Sequence, residues 1–497
     1  MKKNQQNNIS WNALVEHLKK ASLVQSYCPR KSSTSWNQRI CVKSSTVQAG
    51  DAFLAMKGTQ FDSHSLIQSL YKKGVRHFIV EDQKKLGDFL HQEGVSWVEL
   101  TSSRKAWSYA ESFLCGQQEK NMKILAITGT NGKTSVAWML THVLRACGKK
   151  AFYIGTLGSS LKQENEFSHT TPDPDVLFPM LRSACQQEYD FCVIEVSSHA
   201  LKQEKLGPIL FDGAAMTSFS RDHLDYHKTM EDYWESKKIL FTRHLKNNAT
   251  VFIHKDLEAK EKGFFSSLKQ KVFFYDMEDE KFNEHLSFSK NLSAKDLKTL
   301  PYRGKYNHDN FVCALLLASK FVHLDSSFPF HQLPQIPGRM EKVGGSQKSL
   351  EVYVDFAHTP DGLSKLLKSL RGTYTGGLWL VFGCGGDRDV GKRAEMAQVA
   401  EIFCQNIILT SDNPRNEDPK IIIKDILKGF QKPDLVRIEE DRKKAIYKAL
   451  SLAKAGDTVL IVGKGHECFQ EVKGQKFKLS DRKLVEDFFS QLDLKPM

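Results

Sequence analysis

Apolar strands and amphipathic helices alternate along most of the chain. Residues 120–159 contain an apolar strand, a turn with two glycines, an amphipathic helix and a second apolar strand. Two further apolar strands run directly into polar residues, at 191–200 (FCVIEVSSHA) and at 213–227 (GAAMTSFSRDHLDYH). Strands that alternate with helices predict a parallel sheet, so the polar groups are expected at the carboxyl ends of its strands.

The regions on either side of this central stretch predict two more domains. Short strand and helix patterns before residue 120, such as GDAFLAMKG, suit a small α/β domain. After a break with proline and glycine at IPGRMEKVGG, strand-then-loop patterns recur and predict a doubly wound unit. We predict an α/β fold of three domains, at residues 1–119, 120–337 and 338–497, with a central parallel sheet and a C-terminal Rossmann-like domain.

The composition is that of a multidomain globular protein. The 497 residues exceed what one hydrophobic core usually supports. Hydrophobic residues make up 40% of the chain and charged residues 26%, and no apolar run approaches the roughly 20 residues of a membrane span. Polar Gln and Asn follow the N-terminal Lys pair, where a secretory signal needs an apolar stretch. We therefore expect a cytoplasmic location.

Cysteine spacing and charge narrow the range of partners. The 10 cysteines are scattered without a C-x-x-C pair, which argues against a structural zinc site and a disulfide framework. The formal charge of +13 could indicate a nucleic-acid partner, but Lys and Arg are spread along the chain and the usual reader motifs are missing. We expect no nucleic-acid partner. We interpret the net positive charge as solvated lysines that also attract anionic substrates.

The turn after the first central strand has the form of a phosphate-binding loop. Its residues are Gly129, Thr130, Asn131, Gly132, Lys133 and Thr134, between the strand KILAIT and a helix that begins near Ser135. Glycines allow a close backbone approach to phosphates, the helix N-terminus attracts an anion, and the Thr134 hydroxyl can bind Mg²⁺. Ile127 stands where the longer, standard loop has a glycine. The loop is therefore a shortened variant. The alternative interpretation is an ordinary strand-to-helix turn that binds no phosphate.

Four polar residues downstream could complete a magnesium site. Glu195 ends an apolar strand, His223 and Asp225 lie in SRDHLDYH, and Lys237 lies in YWESKKILF. A carboxylate oxygen suits Mg²⁺, whereas an imidazole is a less usual ligand. Read singly, these would be scattered loop residues, and Lys237 a solvated helix lysine.

The segments GTNGKT, EVSSHAL, SRDHLDYH and Y-x-x-x-K-x-x-LF resemble, in order and spacing, those of the Mur ligase family. The resemblance covers essentially the whole chain. It implies a central P-loop ATPase domain, ATP and Mg²⁺ as cofactors, and metal ligation by Thr134, Glu195 and His223. It also implies that Lys237 is carbamylated to N6-carboxylysine, which turns a cation into a carboxylate-like anion. Further contacts to ATP are implied for Ser135, Asn307, Arg339, Asp355 and His358.

The resemblance assigns the N-terminal domain to a UDP-muramoyl precursor. Its implied contacts are Val42, Ser44, Thr59, Gln60, Phe61, Thr170, Thr171, Ser197, Gln203 and Lys205. The chain departs from the family pattern at three places: D-S-R is Lys43-Ser44-Ser45, D-G-H is Asp62-Ser63-His64, and an arginine after Gln203 is Lys205. Lys205 keeps the positive charge but loses the planar fork that grips an anion with two bonds.

The loop Asp412-Asn413-Pro414-Arg415 follows the apolar strand NIILT, where open α/β sheets bind ligands. An arginine fork can clamp a carboxylate, and meso-diaminopimelate has a distal carboxylate that lysine lacks. D-N-P-R is typical of the diaminopimelate-adding Mur ligases, and Arg388, Gly463 and Glu467 fall on the family's other diaminopimelate positions. The alternative for Arg415 is a surface ion pair.

The resemblance implies an ADP-forming ligase that acts on UDP-N-acetylmuramoyl-L-alanyl-D-glutamate in peptidoglycan synthesis. The D-glutamate γ-carboxylate attacks ATP to give an acyl phosphate, and the amine of diaminopimelate then displaces phosphate. Lys133, Glu195, His223 and Lys237 are the implied catalytic residues, and the protein is expected to act as a monomer. A lysine-adding relative, a folylpolyglutamate synthetase, a P-loop nucleic-acid motor and an inactive scaffold remain as alternatives.

Overall fold

The computed structural model describes residues 9–28, 35–58, 61–91, 94–159, 169–276, 299–324, 328–344, 349–370, 374 and 376–493. The chain divides into two compact units. One comprises Met1–Ala126, Lys149–Gly213 and Ser236–Ala249, and the other Ile127–Gly148, Ala214–Glu235 and Thr250–Met497. The domain boundaries expected at residues 119/120 and 337/338 stay predictions.

The N-terminal region forms a five-stranded sheet in the order β1-β5-β4-β3-β2. Its strands are β1 (Val24–Tyr27), β2 (Ile40–Cys41), β3 (Ala52–Leu54), β4 (His77–Val80) and β5 (Ser96–Leu100), with helices α1 (Trp11–Lys20), α2 (Ile67–Lys72) and α3 (Ser103–Leu114). β1 is antiparallel to β5, and the other neighbours are parallel. Apolar side chains on both faces bury against the helices, as the alternating sequence predicts.

The central sheet has seven strands in the order β12-β11-β10-β6-β9-β7-β8. The strands are β6 (Lys123–Thr128), β7 (Ala151–Gly155), β8 (Gly158–Ser159), β9 (Phe191–Glu195), β10 (Phe211–Met216), β11 (Leu245–His254) and β12 (Lys271–Tyr275). Helices in this region are α4 (Lys133–Ala146), α5 (Pro174–Gln186), α6 (Ser198–Lys202), α7 (Leu224–His227), α8 (Met230–Arg243), α9 (Glu258–Ser266) and α10 (Lys305–Ala318). Five of the six residues of β6 are buried, which explains its uninterrupted apolar run.

The C-terminal region is a doubly wound sheet in the order β13-β14-β18-β15-β16-β17. Its strands are β13 (Glu341–Lys342), β14 (Glu351–Asp355), β15 (Leu378–Phe382), β16 (Asn406–Leu409), β17 (Arg437–Ile438) and β18 (Thr458–Val462), and β19 (Phe469–Val472) and β20 (Gln475–Lys478) form a separate hairpin. Only β13 pairs antiparallel within the sheet.

Helices cover both faces of this sheet. Residues of α11 (Pro360–Leu370), α12 (Gly391–Phe403) and α13 (Pro419–Leu427) pack on one face. Residues of α14 (Arg442–Leu452) and α15 (Asp481–Asp493) pack on the other. The predicted α/β class, with a Rossmann-like C-terminal domain, is therefore confirmed. The central sheet is parallel at β7–β9 and β11–β12, but β8 pairs antiparallel with β7. Among the described residues, no helix has the length and apolar character needed to cross a membrane.

A buried ion pair joins the two helices on the second face. The Arg442 guanidinium donates to both carboxylate oxygens of Asp481, at 2.8 and 2.7 Å, and to the carbonyl oxygen of Val462 at 3.0 Å. Both charged side chains are fully buried. Burying two charges is tolerated only where each is paired, so removal of one partner leaves an uncompensated charge in the core.

We expect Arg442→Met to destabilise the C-terminal domain by about 3–5 kcal/mol, because Asp481 then loses its partner. Urea unfolding and hydrogen exchange of α14 and α15 would measure the loss. Lys483→Met is the matched control, since Lys483 forms an exposed pair with Asp487 on the same helix as Asp481. Equal loss of protection in both variants would contradict the role given to the buried pair.

Candidate active site

The predicted phosphate loop lies between β6 and α4, as expected from the sequence. Gly129 and Gly132 both have positive φ, at 143° and 87°. A Cβ on Gly129 would lie 2.0 Å from the Thr217 hydroxyl oxygen, and one on Gly132 would lie 2.7 Å from Asn310 Oδ1. Both glycines are therefore required by backbone conformation and by the close approach of neighbouring groups.

Residues that follow β10 hold the loop in place. The Thr130 amide donates to the carbonyl oxygen of Ser218 at 2.9 Å, and the Asn131 amide donates to the Ser218 hydroxyl at 2.9 Å. The Thr217 hydroxyl donates to the carbonyl oxygen of Asn131. Sequence reasoning missed Thr217 and Ser218, although they stand at the carboxyl end of a predicted strand, where such contacts are expected.

Lys133 and Thr134 begin α4, whose N-terminus faces the loop. Lys133 Nζ donates to the carbonyl oxygens of Gly129 and Thr130, both at 2.8 Å, so its side chain curls back over the loop. The Thr134 hydroxyl accepts from Arg339 Nη2 at 3.2 Å. The helix N-terminus and the Lys133 and Arg339 charges suit an anion such as the phosphates of a nucleotide. Ser135 is buried in the first turn.

Arg339 also contacts the segment that follows β14. Its guanidinium lies 4.4 Å from the ring centroid of Phe356. The Asp355 carboxylate accepts from the amides of Met340 at 2.6 Å and Ala357 at 2.7 Å, and burial raises the pKa of Asp355. The predicted ATP contacts Thr134, Arg339 and Asp355 thus belong to one connected group.

A cavity of about 340 Å³ adjoins the phosphate loop. Asn307, predicted as an ATP contact, lies on α10, where its amide nitrogen donates to the carbonyl oxygen of Arg303 at 2.9 Å. Asn310, three residues later on the same helix, borders the cavity and was missed. Residues three apart on a helix lie on the same face, so the position of Asn307 could have indicated Asn310 from the sequence. The cavity lining consists of Asn131, Gly132, Thr217, Ser218, His254, Asp256, Asp276, Lys305, Tyr306, Asp309, Asn310, Lys365, Lys368 and Ser369.

A buried carboxylate, Asp222, orients His223. Asp222 Oδ1 accepts from the His223 amide at 2.8 Å, and Oδ2 lies 3.4 Å from His223 Nε2. Burial opposes ionisation of Asp222, but the two neighbouring imidazoles, of His223 and His358, and Lys392 hold its pKa below the usual range. Asp222 is therefore an anion at neutral pH. It directly precedes the predicted metal ligand and was not singled out from the sequence.

His358 is the second imidazole near Asp222. Its Nε2 lies 3.8 Å from Asp222 Oδ2, and its Nδ1 lies 2.8 Å from the carbonyl oxygen of Phe356. A carbonyl only accepts, so Nδ1 carries the proton. Burial lowers the pKa of His358 to about 4, so this imidazole is neutral at pH 7.

Ion pairs link the SRDHLDYH segment to the loop before α12. Arg388, predicted to contact diaminopimelate, has Nη1 3.5 Å from Asp225 Oδ2. Arg221 donates through Nε and Nη2 to the two carboxylate oxygens of Asp389, at 3.0 and 3.2 Å. The pairing with Asp225 gives Arg388 an internal partner that the sequence did not suggest.

Glu195 ends β9 with its side chain fully buried. Its Oε1 accepts from the Tyr153 hydroxyl and, at 3.0 Å, from the Thr156 amide. Its Oε2 lies 3.0 Å from the Thr156 hydroxyl. The carboxylate is thereby held in one orientation. Tyr153 and Thr156 were missed because nothing in the sequence tells which residues of neighbouring strands face Glu195.

The structure brings the predicted T-T-P and E-V-S-S segments together. The Thr171 hydroxyl donates to the carbonyl oxygen of Glu195 at 2.8 Å and accepts from the Ser197 amide at 3.0 Å. Thr170 lies 3.4 Å from Thr156, hydroxyl to hydroxyl. Ser197 also caps α6 by accepting from the Ala200 amide.

The remaining residues predicted for the precursor are spread over several loops. Lys205 Nζ pairs with Asp173 at 2.7 Å, and Gln203 directly follows α6. Val42 packs against the N-terminal core, Ser44 lies in the turn after β2, and Phe61 is 57% exposed. Thr59 and Gln60 lie outside the described residues.

The segment Asp62-Ser63-His64 differs from the family's D-G-H pattern only at Ser63, and its aspartate and histidine interact. Asp62 Oδ1 lies 2.6 Å from His64 Nδ1, and His64 Nε2 accepts from the Glu81 amide at 3.1 Å. Nε2 can accept only if the proton resides on Nδ1, so this proton is donated to Asp62. Hydrogen bonds from Lys85 and His64 hold the pKa of Asp62 well below its usual range.

Lys237 lies on α8 with its side chain 1% exposed. The alternative of a solvated helix lysine is therefore wrong. The charge of a buried lysine is costly unless it is paired, hydrogen-bonded or neutralised.

The D-N-P-R loop follows β16, at the carboxyl end of the strand as predicted. Asn413 Nδ2 donates to Glu467 Oε2 at 2.8 Å. Arg415 has a φ of 49°, donates through Nη1 to the carbonyl oxygen of Gly386 at 2.7 Å, and has Nε 3.4 Å from Glu471. The predicted residues Asp412, Asn413, Pro414, Arg415, Gly463 and Glu467 therefore surround one loop cluster. Glu471 and the buried Lys464, which contacts Asn413 and Glu467, were missed.

The donor chemistry is compatible with magnesium. Of the predicted ligands, Thr134 and Glu195 would each offer an oxygen atom, which Mg²⁺ prefers, and His223 would offer a less usual nitrogen. Within the described residues, no group of three or more His, Cys, Asp or Glu side chains is arranged to hold a metal ion. Mg²⁺ commonly takes only one or two carboxylates and completes its coordination with nucleotide phosphates and water.

Three family models match the chain. They describe a Mur ligase family catalytic domain at residues 38–107, a Mur ligase middle domain at 127–318 and a Mur ligase glutamate ligase domain at 338–465. A UDP-N-acetylmuramoyl-L-alanyl-D-glutamate–2,6-diaminopimelate ligase of Clostridium botulinum is 34% identical over 470 residues, covering 92% of this chain and 95% of the relative. The chain belongs to the Mur ligase family.

Solved structures agree with this family membership. A ligase structure with the same name as the clostridial relative has 27% identity and a TM-score of 0.57, and the match covers 94% of this chain and 98% of that one. Folylpolyglutamate synthase of Mycobacterium tuberculosis, complexed with ADP and AMPPCP, has 19% identity and a TM-score of 0.59, covering 79% of this chain and 96% of that one. The second likeness shows a shared fold alone.

We expect Gly129→Ala to weaken nucleotide binding by this Mur ligase roughly 10- to 100-fold, because a Cβ there collides with Thr217 and the positive φ becomes strained. Titration with a fluorescent ATP analogue would measure it. Gly263→Ala is the control, since a Cβ at this position of α9 meets nothing within 4 Å. Unchanged affinity in Gly129→Ala would contradict the assignment of the loop.

Proposed function

We propose that this Mur ligase joins meso-diaminopimelate to the D-glutamate of UDP-N-acetylmuramoyl-L-alanyl-D-glutamate, with ATP converted to ADP and phosphate. The observation that carries the proposal is the meeting of Asn413, Arg415 and Glu467 around one loop, in a chain closely related to ligases of that name. The Arg415 guanidinium would bind the distal carboxylate of diaminopimelate with paired hydrogen bonds, and the Glu467 carboxylate would bind its distal ammonium. Arg388 would approach the same carboxylate once released from Asp225.

The phosphate loop would hold ATP. Backbone amides of the loop, the α4 N-terminus and Lys133 would surround the phosphates, and Arg339 would add a second positive charge beside Thr134. The cavity bordered by Asn310 would offer room for the nucleoside, and Asn307 and Asp355 are further proposed contacts. In this arrangement the residues offset the repulsion between two anionic substrates.

The chemistry would run in two steps. The γ-carboxylate of the precursor attacks the γ-phosphorus of ATP, forming an acyl phosphate and releasing ADP. The amine of diaminopimelate then attacks the acyl carbon, phosphate leaves, and the amine loses a proton. Lys133 would stabilise the charge spread over the transferred phosphoryl group, and exclusion of water would protect the acyl phosphate.

Magnesium, when bound with the nucleotide, would neutralise phosphate charge and orient the phosphoryl group. Thr134, Glu195 and His223 would hold it: Tyr153 and Thr156 fix the Glu195 carboxylate, and Asp222 fixes the His223 ring. A carboxylate that orients a ligating imidazole is a recurrent arrangement in metal sites.

The precursor would lie against the N-terminal domain and the segments around Thr171 and Ser197. Val42, Ser44, Thr59, Gln60, Phe61, Thr170, Gln203 and Lys205 are the further proposed contacts. The three domains would be residues 1–119, 120–337 and 338–497, each with its own sheet. We further propose a cytoplasmic location, because the UDP-linked precursor and ATP are both soluble anions, and a monomeric state.

Comparison of two acceptors tests the proposed reaction. With ATP and UDP-N-acetylmuramoyl-L-alanyl-D-glutamate present, phosphate release should require meso-diaminopimelate and should not occur with L-lysine, which lacks the distal carboxylate. Lysine preference would leave the family assignment intact and overturn the acceptor. If neither acceptor causes phosphate release, a folylpolyglutamate synthetase activity is favoured. If DNA stimulates ATP hydrolysis, a nucleic-acid motor is favoured.

Arg415→Ala should raise the KM for diaminopimelate at least about tenfold, because the distal carboxylate loses a charge-assisted pair. The KM for ATP should stay the same, and steady-state phosphate release would measure both. Arg437→Ala is the matched control, since Arg437 is an exposed arginine on the edge strand β17. Equal loss of ATP and diaminopimelate use would contradict the role of Arg415.

We also propose that Lys237 reacts with CO₂ to form a carbamate and a released proton. Lys237→Arg, which keeps the charge but cannot form a stable carbamate, should lose activity about 100-fold or more. After exposure to ¹³C-bicarbonate, the unmodified sequence should show a carbamate carbon resonance that Lys237→Arg lacks. Lys238→Arg on the same helix is the control, and full activity in Lys237→Arg would refute the proposal.

A further inference from the structure

Lys464, in the loop after β18, has no assigned role in the reaction, yet its side chain is fully buried. Its Nζ donates to Asn413 Oδ1 at 3.0 Å and to Glu467 Oε2 at 2.8 Å. A buried ammonium is tolerated only when it is paired and hydrogen-bonded. Both of its partners are residues to which the proposed function assigns the acceptor amino acid.

The contacts of Lys464 fix the orientation of the Asn413 amide. Asn413 Oδ1 accepts from Lys464 and from the Glu471 amide at 2.9 Å, and Nδ2 donates to Glu467 at 2.8 Å. An ammonium has no acceptor, so only the oxygen of the amide can face it. The amide nitrogen must then point to Glu467.

The same contacts fix the Glu467 carboxylate. Its Oε2 receives both Lys464 Nζ and Asn413 Nδ2, whereas Oε1 receives no hydrogen bond from the described residues. The side chain is 22% exposed. One oxygen is thus anchored inside the protein, and the other is left for a cation that approaches from solvent.

We infer that Lys464 is a positioning residue that holds Glu467 so that Oε1 receives the distal ammonium of the acceptor. This inference rests on the proposed function. Lys464 does not touch the acceptor itself. It acts through its hydrogen bonds to Glu467 and Asn413.

A double-mutant cycle tests the inference. Lys464→Met should raise the KM for diaminopimelate about 10- to 100-fold, with the KM values for ATP and precursor unchanged. Glu467→Gln should have a similar effect, and the double variant should be no worse than the more impaired single variant, because both changes remove one interaction. Multiplied effects, or equal increases for all three substrates, would show a merely structural Lys464 and overturn the inference.

Lys428→Met is the matched control, because Lys428 also pairs with a carboxylate three residues away, Asp425, but is 65% exposed. It should leave all three KM values unchanged. If Lys464→Met does not fold, as judged by circular dichroism, Lys464→Gln replaces it, since an amide can still donate to Asn413 but carries no charge.

A crystal structure of the unaltered protein with diaminopimelate gives an answer that needs no variant. Glu467 Oε2 should stay on Lys464 while Oε1 receives the acceptor's ammonium, and an Oε2 that leaves Lys464 would overturn the inference. The proposed function fails separately: unaltered protein that releases no phosphate with diaminopimelate refutes that reaction, whereas an active enzyme with an unchanged KM in Lys464→Met refutes only the role of Lys464.

Discussion

The close packing of the phosphate loop against the residues after β10 is the constraint on which the nucleotide site depends. Gly129 approaches Thr217 so closely that no side chain fits between them. The backbone of Thr130 and Asn131 is then held by Ser218, so the loop that precedes α4 has one defined conformation. Lys133 donates to the carbonyl oxygens of this loop, and Thr134 directly follows Lys133 in the chain. A loop free to move would lose binding energy in ordering itself around each nucleotide.

The three sheets show how far the sequence could predict the fold. Apolar runs such as KILAIT and NIILT are long enough, and flanked clearly enough, to identify parallel strands with functional loops at their carboxyl ends. The phosphate loop and the D-N-P-R loop lie where those patterns put them. Helices on both faces of the C-terminal sheet agree with the doubly wound pattern, because such sheets bury both faces. The order of the strands came from the structure alone.

Partners that are distant in sequence could not be predicted in the same way. Asp222 precedes His223 directly, yet only the structure shows its carboxylate against the imidazole. Lys464 lies in a motif that the sequence analysis used, but a lysine between two glycines looks solvent-exposed until the fold buries it. Tyr153, Thr156 and Glu471 carry no local signal, because their roles depend on which strands become neighbours. Some residues came from the family resemblance alone. Val42, for example, packs against the N-terminal core, and nothing in its described contacts indicates a role in binding.

The β19–β20 hairpin has a consequence for how acceptor preference can change. Its first strand and the turn after it form backbone hydrogen bonds with Arg415: the Arg415 amide donates to the carbonyl oxygen of Glu471 in β19, and the Lys473 amide of the turn donates to the carbonyl oxygen of Arg415. The side chain of Gln470 reaches the carbonyl oxygen of Asp412 at 2.7 Å. The two segments therefore behave as one module despite being more than 50 residues apart. If the D-N-P-R loop is exchanged between relatives without its hairpin, the hydrogen bonds between the two segments are lost. The two segments are therefore expected to change together.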